Sequence, residues 1–202
     1  MAITLSGTYT AGYALTNPAT QNPATLASGG YVTNTTSLHG GYAVYGTNAA
    51  AWNFTNFGTI KATFPASTGL FLKAGGTVTN GAAALIFGVN MGVYIAGKAG
   101  TVNNFGTIEG PDSDGIRVGN GGSVTNGTSG TGSALIVGLL NGVEVSGASG
   151  STVTNYGTIL GTGSEGEGVY LPVVADGNVS NARRRQRHRR LRRPDGLADR
   201  AA

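Results

Sequence analysis

Side chains able to make or break bonds are few in this sequence. Asp112 and Asp114 stand two apart in the run GPDSDG, and Glu165 and Glu167 two apart in GTGSEGEGV. Paired carboxylates can divide the acid and base work of glycoside cleavage, and loop carboxylates can offer oxygens to calcium. Neither pattern is complete here. No second acidic pair follows Asp112 and Asp114 one repeat on, and the only histidine ahead of the final twenty residues is His39, in SLHGG. Calcium-binding repeats carry a Gly-Gly-x-Gly-x-Asp rhythm, and the chain has no copy of it. The run GNGG at Gly119–Gly122 lacks the Lys-Ser/Thr of a phosphate loop. Both acidic pairs are therefore read as solvated turns and His39 as a loop residue. No catalytic residue, cofactor or metal site is expected, Asp112 and Asp114 being the carboxylates considered for calcium.

Recognition is the better prospect. A pattern Gly-Φ-x-Φ, with Φ apolar, recurs at Gly69-Leu70-Phe71-Leu72, Gly92-Val93-Tyr94-Ile95, Gly115-Ile116-Arg117-Val118, Gly142-Val143-Glu144-Val145 and Gly168-Val169-Tyr170-Leu171. If Φ faces inward, x faces outward, and copies stacked on one another would form a column of Phe71, Tyr94, Arg117, Glu144 and Tyr170. Aromatics beside an Arg/Glu pair could grip an extended glycan or another protein. The plainer alternative is that Tyr and Phe favour strands and stack along a ladder.

Those residues need a repeating scaffold, and the sequence supplies one. The pattern Φ-x-Asn recurs with Asn at positions 34, 56, 80, 104, 126, 155 and 181, at gaps of 22, 24, 24, 22, 29 and 26 residues. The endings alternate: NFGTI follows at Asn56 and Asn104, NYGTI at Asn155, whereas Asn80 and Asn126 are followed by Gly and then ALIFG or ALIVG. A two-copy unit has thus been multiplied. Each copy holds three short pieces with the period-2 alternation of half-buried strands, separated by residues that tolerate tight turns. Strands this short bury little alone, so each must pair with its counterpart one copy on, about 4.8 Å away. The sequence predicts an all-β parallel solenoid of about seven rungs of 22–29 residues, three strands per rung. Asn34, Asn56, Asn80, Asn104, Asn126, Asn155 and Asn181 are expected to form one corner ladder, amide bonded to amide.

The run GGTVTNGAAALIFG…GVYIAGKAGTVNNFGTIEG, echoed in GGSVTNGTSGTGSALIVG…GVEVSGASGSTVTNYGTILG, resembles bacterial autotransporter-passenger and adhesin-like β-strand-repeat proteins. The likeness covers about residues 29–181 and rests on V-x-N-x-G-x-I. It implies a right-handed parallel β-helix, export to the cell surface or medium, and partners such as a glycan or a host or neighbour-cell surface protein. It does not imply an enzyme. β-helices do include polysaccharide-cleaving lyases and hydrolases, so an enzyme fragment is the rival reading, and a basic-tailed nucleic-acid binder is a third.

Composition narrows the field further. Of 202 residues 36 are Gly and only 11% are charged, with no Cys, which excludes a disulfide scaffold and a thiolate metal site. No apolar run approaches the ~20 residues of a spanning helix, so no membrane insertion by this segment is expected. No classical signal peptide opens the chain. The net charge of +4 is uneven: residues 183–202 hold nine Arg and two Asp, the rest four basic and seven acidic residues. The chain divides into a divergent first coil or cap at 1–28, solenoid repeats over 29–182, and an Arg-rich tail at 183–202. A single-base shift after Ala182 permits a reading that restores Asn-x-Gly-x-Val and a later Gly-Leu-x-Ile, so the tail is read as disordered or frameshifted and no nucleic-acid partner is expected. Self-association through uncapped solenoid ends is a further expectation. The nucleotide sequence around codon 182 checks the frame: no single-base shift restoring the motif means the tail is native.

Overall fold

The computed structural model describes residues 1–130, 132–147, 150–172 and 177–181. The Arg-rich tail lies outside the described residues. Among these, strands occupy three parallel sheets that repeat in strict rotation. Sheet A holds eight strands, running from Ile3–Leu5 and Ala24–Leu26 through Trp52–Asn56, Gly76–Asn80, Gly100–Asn104, Gly122–Asn126 and Thr152–Asn155 to Asn178–Asn181. Sheet B holds seven, among them Tyr31–Asn34, Thr59–Ala62, Leu85–Gly88, Thr107–Gly110, Leu135–Gly138 and Thr158–Gly161. Sheet C holds seven, from Tyr13–Leu15 and Val44–Gly46 through Thr68–Leu72, Met91–Ile95, Ile116–Val118 and Asn141–Val145 to Glu167–Tyr170. The described residues form a β-solenoid of seven three-strand coils, with six steps between them and an eighth begun. At the parallel-strand spacing those steps make a rod of about 30 Å.

The interior follows from alternation. Each strand sends every second side chain inward, and register keeps like above like. In sheet B, Val32, Ile60, Ile86, Ile108, Ile136 and Ile159 are successive partners, and all are buried. Sheet A contributes Phe54, Val78, Val102, Val124 and Val153 in the same way. β-Branched residues suit this packing because their χ1 is already restricted. The segment 1–28 supplies all three strands of the first coil and the first strand of the second. It also holds a four-residue helix, Pro18–Gln21, capped by the Asn17 side chain accepting from the Ala19 amide, which sequence periodicity did not suggest.

At the corner after sheet A the chain buries polar groups, and asparagine satisfies them. Asn56 Nδ2 donates to Asn80 Oδ1 (2.8 Å), and the link repeats from Asn80 to Asn104, Asn104 to Asn126, Asn126 to Asn155 and Asn155 to Asn181. The same amides donate to carbonyls opening sheet B one coil on, at Leu85, Thr107, Leu135 and Thr158. On the acceptor side, Asn56 Oδ1 and Asn155 Oδ1 each take the amide two residues ahead, Gly58 and Gly157. Glycine there is forced by close approach: a Cβ on Gly157 would lie 2.2 Å from the Ala134 carbonyl oxygen.

Asn34 departs from the expected ladder. It ends a strand of sheet B, opposite Ala62, while the sheet A position below Asn56 belongs to Leu26. Its gap of 22 residues to Asn56 falls within the true coil lengths, so spacing alone could not expose it. The second coil carries a long excursion after sheet B, and Asn34 serves that turn instead. It donates to the Leu38 and Tyr42 carbonyls (2.7 and 2.9 Å) and accepts from the Thr36 amide and hydroxyl.

The alternation of endings also has a physical cause. Phe57 follows Asn56, and Gly81 follows Asn80 directly above; a Cβ on Gly81 would come within 2.6 Å of Phe57 Cδ1. Large and small residues thus interleave at the corner, every second coil.

Asn104 has ladder partners on both sides, so Asn104→Ala removes an acceptor from Asn80 and a donor from Asn126 and Leu135. We expect a loss of about 3 kcal/mol, since buried polar partners left unpaired cost 1–3 kcal/mol each. Asn103→Ala, on the half-exposed outward face, should cost under ~0.5 kcal/mol. Urea unfolding of both variants checks this, and equal losses would refute the ladder's role.

Candidate functional site

The outward face of sheet C brings the five column residues together. Phe71 pairs with Tyr94, Tyr94 with Arg117, Arg117 with Glu144 and Glu144 with Tyr170, each one coil above the last. The column extends one coil further down than the sequence pattern indicated, because Tyr45 pairs with Phe71. Tyr45 was missed because it lies in Ala43-Val44-Tyr45-Gly46, which lacks the leading glycine of Gly-Φ-x-Φ. Tyr42, from the preceding turn, packs beside it.

Ring geometry decides what this face can offer. Tyr45 and Phe71 stack with centroids 5.8 Å apart and planes at 22°, and Phe71 and Tyr94 at 4.9 Å and 15°. Tyr42 leans on both Tyr45 and Phe71, at 5.8 and 4.9 Å. Burial and its phenol neighbours, Tyr45 and Tyr94, push the Tyr42 hydroxyl above its usual range. The rings occupy one another's faces, so what faces solvent is ring edge and phenol hydroxyl. Such a surface hydrogen-bonds better than it stacks.

Above the rings the column turns ionic. Arg117 donates to Glu144 at 2.9 Å; the Glu144 side chain is only 9% exposed, that of Arg117 39%. Asp114, just ahead of the Arg117 strand, is buried, and Asn141 Nδ2 donates to its Oδ1 at 2.8 Å. Burial pushes the Glu144 carboxyl above the usual carboxylate range; the Arg117 guanidinium opposes this and the nearby Asp114 adds to it. Asp112 is exposed, so the pair considered for calcium is split between solvent and interior. Among the described residues no group of three or more His, Cys, Asp or Glu could hold a metal ion.

The remaining candidates scatter. His39 lies in the turn Leu38–Gly41 with φ of 52°, remote in register from the carboxylates. Glu165 is exposed in a turn, whereas Glu167 is half-buried in a strand, opposite Asn141. The turn reading therefore fails for Glu167: in four of the five coils that carry Gly-Φ-x-Φ, this one included, the sheet C strand begins one residue ahead of the glycine. Gly119 and Gly121 form a tight bridge leading straight into a sheet A strand, with no helix to cradle a phosphate.

A second outward surface went unnoticed in the sequence. Sheet A presents Thr25, Thr55, Thr79, Asn103, Thr125, Thr154 and Ser180 as successive partners. Two residues earlier along each strand, Asn53, Thr77, Thr101, Ser123, Thr152 and Asn178 do the same. The signal was legible as GTVTN, GTVNN, GSVTN, STVTN and GNVSN. The outward residues alternate with the inward Val and the corner Asn, whose regular spacing is the stronger signal.

Glu144 yields a pH test. Its folded carboxyl holds its proton to higher pH than in the unfolded chain. That contribution to stability is therefore complete below the ordinary Glu value of about 4.3 and is lost as pH rises through the raised value. Urea midpoints of the wild type should fall relative to Glu144→Gln as pH increases from about 4; parallel curves would sink the assignment.

No family model matches this chain, and neither a curated protein nor a solved structure matches it.

Proposed function

We propose that the chain is a non-enzymatic β-solenoid scaffold at a cell surface or released from it, as its likeness to autotransporter-passenger and adhesin-like repeats suggests. Its role is to present side-chain columns to a glycan or a protein of a neighbouring surface. One observation carries the reading: register converts a sequence repeat into a column on sheet C, Tyr45-Phe71-Tyr94-Arg117-Glu144-Tyr170. Hydroxyls, ring edges and one ion pair follow each other at the strand spacing of about 4.8 Å. That sequence of donors and acceptors suits an extended, hydroxyl-rich chain laid along the rod.

Immobilised protein, challenged with a glycan array and with whole cells, tests the proposal. Tyr94→Ser with Tyr170→Ser should weaken retention about tenfold, a loss of ~1.4 kcal/mol. Equal retention by the double variant, or none by the wild type, overturns it.

A rival reading, polysaccharide cleavage, draws on the two buried carboxylates Asp114 and Glu144 on adjacent coils. It requires that reducing ends be released from acidic or neutral polysaccharides, and that Glu144→Gln abolish the release.

A further inference from the structure

We infer that the outward face of sheet A is an ice-binding surface. The inference is independent of the sheet C column and concerns a different face of the rod. Its ligand is the lattice of water itself.

Four properties of the face point this way. The first is chemical uniformity. Across the last five steps, from Asn53 and Thr55 to Asn178 and Ser180, both columns consist of Thr, Ser and Asn alone. Neither charge nor aromatic ring interrupts them. A charged group would bind its own hydration shell, which must be stripped at a cost before a lattice can approach. The rest of the rod is different. The outward columns of sheets B and C carry Lys61, Phe87 and Glu109, and Phe71, Tyr94, Arg117 and Glu144.

The second property is regularity in two directions. Along the rod, partners repeat at about 4.8 Å, and the two columns are separated by two residues of extended chain, about 6.6 Å. Water oxygens bonded at 2.7–2.8 Å in tetrahedral geometry repeat at about 4.5 Å within a layer and about 7.3 Å along the stacking axis. The mismatch along the rod is roughly 0.3 Å per coil, so about three neighbouring coils stay within ~0.6 Å of register at a time, and the mismatch across it, about 0.7 Å, is met only once, since there are two columns.

Rigidity is the third. Threonine fills seven of the twelve positions and is stiff at χ1, so ordering those side chains against a solid costs little entropy. One pair of neighbouring coils is also tied on the face itself, where Ser123 Oγ donates to Thr101 Oγ1 at 3.4 Å. Beneath it, the inward Val78, Val102, Val124 and Val153 are buried, and the Asn ladder fixes the end of each strand.

The fourth is mixed character. Each threonine shows water a hydroxyl and a methyl, so the array can anchor ordered waters through the first and leave them few competing partners at the second.

The test uses the full chain. Fluorescently labelled protein is offered to slowly growing ice, and its incorporation is measured together with inhibition of ice recrystallisation. Wild type should be taken into the ice and should inhibit recrystallisation. Thr101→Lys and Thr125→Lys, placed mid-array, should each reduce the inhibition at least tenfold. Val137→Lys, which puts the same charge on the outward face of sheet B, should leave it unchanged. Circular-dichroism melts establish that the variants fold; where a lysine variant does not, Thr125→Tyr breaks the array with a residue strands accept. Exclusion of the wild type from ice overturns the proposal outright. Equal activity in the mid-array variants overturns it as well, and so does binding to crystalline polysaccharide without binding to ice.

Discussion

In a stacked parallel coil, whatever a residue does is done again one strand spacing above. A buried polar group at a corner is therefore never a single problem but a row of them. Asparagine answers the row because its amide carries both donors and acceptor capacity, so each copy can pass a bond upward and receive one from below. A carboxylate at the same site would stack like charges about 4.8 Å apart in the dry interior. From Asn56 to Asn181 the amides are joined end to end, and the strands of sheet A and the carbonyls opening sheet B are located by them. The faces described above inherit their order from that row.

The same repetition explains the sparse charge of the body. Identical charges in one column would repel at every step, so the column on sheet C sets Arg117 against Glu144. On sheet B, Phe87 stands between Lys61 and Glu109, with the Lys61 ammonium 5.7 Å from the ring centroid. The basic character of the whole chain belongs to residues 183–202 and says nothing about the surface of the rod.

Much of the fold was legible in the sequence because the physics that builds it is periodic. Val-x-Asn marks sheet A, Gly-Thr-Ile alternating with Leu-Ile marks sheet B, and Gly-Φ-x-Φ marks sheet C in most coils. Legibility failed where a coil departs from the mean. Asn34 has the residue type and the spacing of a ladder member but sits one sheet away, because the second coil bends its long excursion around it. Tyr45 lies in the column without its glycine. Glu144 and Asp114 are neighbours through coil stacking, 30 residues apart in sequence, and nothing local marks either as buried. The threonine face was missed for a different reason: strands favour threonine anyway, so its meaning lies in two-dimensional placement, which a linear string does not display.

The interleaving of Phe57 with Gly81 at the corner bears on how such a chain can change length. A duplication or deletion that adds or removes one coil would set ring against ring, or leave glycine beside glycine. The unit that can slip during copying of the gene without disturbing the corner is the pair, as in the 46 residues from Asn80 to Asn126. Solenoids built on this alternation should lengthen and shorten in even steps.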